Sequence, residues 1–104
     1  MAAMTVEEFR SSLRGQEPPQ GLTVPVKALW WDARGDWAMA HALVDSLEDT
    51  DGMAVHAYLH RKEGVEWNAE YCYRRAGRRY RRASLQDEWE ALLEGLLTAP
   101  DTLD

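Results

Sequence analysis

Two histidines four residues apart, His56 and His60, project from one side of any helix that carries them. Glu63 continues that side one turn later. Imidazole nitrogens and carboxylate oxygens are donors that zinc takes. A third histidine, His41, precedes this pair. If the chain reverses near residue 50, His41 lies about 9 residues before the turn and His60 about 10 after it. At 1.5 Å per helical residue the two are level to within roughly 2 Å. A zinc site of imidazoles and one carboxylate is therefore geometrically accessible.

A second chemistry is concentrated in residues 74–82, where Arg74, Arg75, Arg78, Arg79, Arg81 and Arg82 surround Tyr80. Guanidinium groups grip phosphates, and a tyrosine ring can stack on a base. The net charge of −6 tells against nucleic acid, because without these six arginines the chain stands at −12. Such a body repels a phosphate backbone at long range. Arg74 and Arg75 also close a helix, where cations meet the negative end of its dipole. The cluster is better suited to the chain's own carboxylates, or to the acids of a second copy in a homodimer. Arg81-Arg82-Ala83-Ser84 resembles a basophilic phosphorylation site, but Ser84 is better explained as a helix cap.

The single cysteine, Cys72, excludes an internal disulfide and suits a reducing cytoplasm. It lies between two tyrosines with no histidine at helical spacing, so no nucleophilic role is expected. The chain contains no serine–histidine–acid arrangement, glycine-rich phosphate loop or paired-cysteine motif. Neither an enzymatic activity nor a cofactor is expected. The opening MAAMTVEEFR lacks a basic start followed by an apolar run, and no apolar run reaches membrane-spanning length. A cytoplasmic protein with no membrane partner is the expectation.

The elements that must position these groups are helices. At 104 residues, 45% of them hydrophobic, the chain is one domain and can bury roughly two thirds of its unfolded surface. Thr5 with Glu8 is a capping box that opens an N-terminal helix within residues 5–14, with Val6, Phe9 and Leu13 on one side. Residues 15–23 hold two prolines and two glycines and form a linker. Pro25 fits a helix's first turn, giving a second helix to about Arg34. Asp36 caps a third from Trp37 to about Leu47. A break at residues 48–52 precedes a fourth from Met53 to Glu63. Gly64 turns the chain into a fifth, which Gly77 closes. Residues 78–83 are a linker. A C-terminal helix over residues 84–99 carries the apolar stripe Leu85, Trp89, Leu92, Leu93, Leu96 and Leu97. No alternating β-branched run occurs, so the class is all-α.

Residues 24–77 also contain a repeat. Placing Gly35 over Gly64 sets Ala28 on Ala57, Ala40 on Ala69, Val44 on Tyr73 and Leu47 on Ala76. Small side chains at such positions let two helices approach to about 8 Å. These residues resemble the tetratricopeptide and Sel1-like helical-repeat families: Ala28, Trp31, Gly35-Asp36-Trp37, Ala40 and Val44 fit the family pattern in one copy. Ala57, Gly64, Ala69, Tyr73 and Ala76 fit it in the other. The stretch VHAYLHRKEG followed by YCYRRAG is also similar to a group of short bacterial proteins of undefined function.

The resemblance implies two stacked helical hairpins flanked by N- and C-terminal capping helices, about six helices in all. It implies a protein-interaction module whose groove is lined by Leu29, Asp32, Ala33, Tyr58, Arg61 and Lys62. Arg61 and Lys62 suit an acidic peptide or a free C-terminal carboxylate. It also sets His60 in a buried aromatic slot and His56 in an apolar one, which favours packed histidines, each donating one hydrogen bond, over a metal site. Trp31, Trp37 and Trp89 are expected in the core, while Trp30 and Trp67 are left to mark an exposed contact patch.

Overall fold

The computed structural model describes residues 4–77 and 84–98, and every element in them is an α-helix. In chain order these are α1 (Val6–Ser12), α2 (Val24–Ala33), α3 (Trp37–Val44), α4 (Thr50–Glu63), α5 (Glu66–Arg75) and α6 (Leu85–Thr98). The expected linker at 78–83 and the stop at Pro100 lie outside the described residues.

Local chemistry sets the helix ends. The Thr5 hydroxyl accepts from the Glu8 amide at 3.0 Å, and the Glu8 carboxylate accepts from the Thr5 amide at 2.9 Å, completing the capping box. Asp36 caps α3 through the Met39 amide, and Ser84 caps α6 through the Asp87 amide. Gly35 and Gly64 turn the chain at φ 86° and 95°, where a Cβ would be strained. α4 begins at Thr50, three residues before the expected Met53, because Asp49 accepts from the Gly52 amide at 2.9 Å and carries the helix through the expected break. α3 correspondingly ends at Val44 rather than Leu47.

α2 packs on α3 and α4 on α5, giving two hairpins joined mainly where α3 and α2 meet α4. The repeat-related alanines Ala28, Ala40, Ala57 and Ala69 are all fully buried at these crossings. α6 lies over α2 and α4, and α1 lies against α6. Phe9, Leu29, Trp30, Leu59 and Leu93 fill the shared core.

Tryptophans fasten the elements through their indole nitrogens as well as their area. Trp30 donates to the Ser12 hydroxyl, Trp37 to the Leu59 carbonyl and Trp89 to the Leu29 carbonyl. Trp30, expected at the surface, is thus fully enclosed, and Trp31 and Trp37 are only half-buried. Two buried carboxylates complete the frame. Asp32 accepts from Tyr58 Oη and from Lys62 Nζ, each at 2.8 Å. Glu88 accepts from Arg61 Nη1 at 2.7 Å and from Tyr73 Oη. Each carboxylate therefore has a cation and a phenol, as a buried charge requires. The Tyr58 phenol is pushed far above its usual range, first by burial and then by Asp32.

Candidate metal centre

α3 and α4 cross so that His41, His56 and His60 converge. One ligand nitrogen from each lies within 4.8 Å of the others. The closest pair is His41 Nε2 and His56 Nε2, at 3.0 Å. The rings form a compact trio, with centroid distances of 4.8 Å for His41–His56, 5.2 Å for His41–His60 and 4.6 Å for His56–His60. Ligand nitrogens about 2.0–2.1 Å from a tetrahedral zinc stand about 3.3 Å from one another. The observed spacing brackets that value, so small ring rotations suffice for all three to reach one ion.

The surroundings fix these rings in different ways. Nδ1 of His60 lies 3.1 Å from Glu63 Oε1. The carboxylate accepts from Nδ1–H, and in the neutral ring this tautomer keeps the Nε2 lone pair available for a metal. A ligand histidine is typically oriented in this way by an outer carboxylate. His41 lies under Trp37, whose ring stacks on it at 4.8 Å and 11°. The Trp37 indole is anchored in turn to the Leu59 carbonyl at 2.9 Å. Asp45, one turn after His41, brings Oδ1 to 4.0 Å from His41 Nε2.

His56 is the most enclosed of the three, at 8% exposure. Its Nδ1 is buried with no hydrogen-bond partner, so the Nε2 contact with His41 is the one hydrogen bond this ring makes. Burial first, then repulsion from His60 and from His41, together hold its pKa down at about 4, with Asp45 partly opposing. At neutral pH His56 is therefore an uncharged imidazole, the form that ligates metal.

Beside this trio is a cleft of about 320 Å³, whose walls include His56, His60, Asp45, Glu48, Cys72 and Arg75. Cys72 is buried, and burial raises its thiol pKa, with Arg75 opposing. Arg75 donates to Tyr71 Oη at 2.8 Å. Arg74 and Arg75, expected in a basic patch, are exposed at the end of α5; Arg78, Arg79, Arg81 and Arg82 lie outside the described residues.

The groove residues expected from the repeat resemblance fare unequally. Leu29 is fully buried beneath α6, where its carbonyl takes the Trp89 indole, so it cannot touch a partner. Arg61 is engaged by Glu88. Asp32, Ala33, Tyr58 and Lys62 line a second cleft of about 260 Å³ with Arg10, Leu13, Gln86 and Trp89. Trp67 is 75% exposed on α5.

Sequence spacing pointed to the His56–His60 pair and to His41, but not to Trp37 or Asp45. Both stand four residues from His41, one on either side, so the same helical spacing would have found them. No known protein family, curated protein or solved structure matches the chain. Among the described residues, no helix is long and apolar enough to cross a membrane.

Proposed function

We propose that this chain binds one divalent transition-metal ion of the zinc class through His41, His56 and His60. The observation that carries the reading is the convergence of three imidazoles, one nitrogen from each within 4.8 Å of the others, with Nδ1 of His60 facing Glu63. Imidazole donors suit zinc, copper, nickel and iron. His41 belongs to the first hairpin, and His56 and His60 to the second. The bound ion clasps the hairpins across the α3–α4 contact, and binding free energy becomes fold stability. The lone cysteine suits a reducing cytoplasm, and we place the protein there.

Calorimetric titration of metal-stripped protein with zinc tests the reading. The expected result is one ion per chain and a zinc-dependent rise in melting temperature, both lost in His60→Gln. At 100 times the dissociation constant, zinc adds about 2.7 kcal/mol of stability. Absence of binding, or equal binding by His60→Gln, would overturn it.

A second reading keeps a peptide-binding module, favoured by the single cleft that Asp32, Ala33, Tyr58 and Lys62 share. Ala33 is exposed at its edge, so Ala33→Trp fills the cleft without touching the Asp32 pairs. Peptides with a free C-terminal carboxylate should bind the wild type and not this variant; equal affinities would sink that reading.

A further inference from the structure

Three imidazoles leave a tetrahedral ion one ligand short, and the identity of the fourth decides what the ion is for. A water there gives an open, reactive site, whereas a protein side chain gives a closed, structural one. The charge balance also needs completing: three neutral imidazoles do nothing to offset a dication in a half-buried setting.

The sequence offered Glu63 as the carboxylate of such a site. The structure commits that group to Nδ1 of His60 at 3.1 Å, where it orients a ligand instead of being one. Asp45 is differently placed. It caps α3 with helical backbone angles, φ −56° and ψ −37°, so its side chain leaves the same face as His41 one turn earlier. Its Oδ1 lies 4.0 Å from His41 Nε2, and it shares the cleft wall with His56 and His60. The His41 contact is its only ion pair among the described residues, and no hydrogen bond holds the carboxylate elsewhere. The side chain is 64% exposed and can turn. The three histidines converge without Asp45, and a turn of this free side chain toward them shortens the 4.0 Å gap to His41 toward the roughly 3.3 Å that two zinc ligands keep.

We infer that Asp45 is the fourth ligand, completing a closed site of three histidines and one aspartate on the α3–α4 junction. The inference rests on the three-histidine reading. With Asp45 bound directly and Glu63 behind His60, two carboxylates balance the dication. No position is left for a substrate, so the ion is a structural clasp. It fastens the end of α3 and the loop that follows as well as the two hairpins.

The two other cleft groups with ligand chemistry serve as controls. Glu48 is exposed on the loop, and Cys72 is a buried thiol. The experiment compares wild type, Asp45→Asn, Glu48→Gln and Cys72→Ser, each loaded with cobalt(II) as a spectroscopic stand-in for zinc. Each is then titrated with azide, a small anion that enters a vacant or water-filled coordination position. The wild-type cobalt spectrum should be tetrahedral and unchanged by azide. Asp45→Asn should bind zinc at least tenfold more weakly, and its cobalt spectrum should respond to azide. Glu48→Gln and Cys72→Ser should behave as wild type.

An azide response in the wild type, or zinc affinity unchanged in Asp45→Asn, would overturn the inference while the three-histidine site stood. Transfer of the azide response to Cys72→Ser or Glu48→Gln would overturn it in favour of that residue. Failure of the wild type to bind zinc or cobalt at all would remove both readings together.

Discussion

His41 and His56 meet Nε2 to Nε2 at 3.0 Å across the contact between α3 and α4. Only one of the two nitrogens can carry a proton into that contact without a clash. Whichever does, Nδ1 of His56 remains buried and without a partner. A buried polar atom left in this state costs about 1–3 kcal/mol. The helix pair thus carries a local strain in hydrogen bonding just where an ion would draw the rings together.

That arrangement makes the metal-stripped protein acid-sensitive. The folded pKa of His56 is lowered from 6.5 to about 4. Between those values the unfolded chain binds a proton that the native one refuses, so stability falls as pH drops through this window. The full effect is about 3 kcal/mol. Urea melts in the presence of a chelator should show that loss, and His56→Leu should remove this part of the pH dependence. A wild-type stability that stays flat from neutral pH to pH 4 would contradict the assignment.

Trp37 should matter to metal affinity although it supplies no ligand. Replacing it with leucine removes the stack on His41 and the bond to the Leu59 carbonyl. The expected cost is about 2 kcal/mol of stability, with zinc affinity reduced roughly 10–100-fold as for other outer-shell partners. Trp37→Phe keeps a ring over His41 and should recover most of the affinity, read by calorimetry. Equal zinc binding by the leucine variant would show that the stack does not position His41.

Gly52 offers a test of the α4 start. In an unconstrained helix interior, glycine to alanine stabilises by roughly 0.5–1 kcal/mol. Here an added Cβ would come within 2.6 Å of both Leu47 Cβ and Asp49 Oδ1. Gly52→Ala should therefore destabilise, by about 1–3 kcal/mol. A rise in the urea midpoint would show that the loop before α4 yields freely.

Ala69 tests the crossing within the second hairpin. It is fully buried between α4 and α5, so Ala69→Leu should cost about 1–3 kcal/mol through overpacking. Thermal melts that matched the wild type would mean the helices do not press together there.

The helices were legible in the sequence because their signals are local. Caps such as Thr5 and Asp36, and alanines recurring about Gly35 and Gly64, act within a turn or between neighbouring helices. The positions that misled depend on a distant element. Leu29 reads as a groove residue until α6 is laid over it, and no local pattern says where a helix more than fifty residues later will dock. Trp30 and Trp31 are adjacent, about 100° apart around a helix, so the inner one is chosen only by what covers α2. The histidine site was half legible. Spacing fixes His56 beside His60, whereas the approach of His41 depends on how α3 is turned against α4. Asp45, four residues after His41, lay within reach of the same spacing rule, but which face of α3 turns toward α4 is not written locally.

The stacking of Trp37 on His41 has an optical consequence. An indole face-on to an imidazole loses its excited state readily when that imidazole becomes charged. The other enclosed tryptophans have no such neighbour, and Trp67 faces water. Part of the chain's own emission should thus brighten or dim with the state of one ring, giving a label-free gauge of events at the junction between the hairpins.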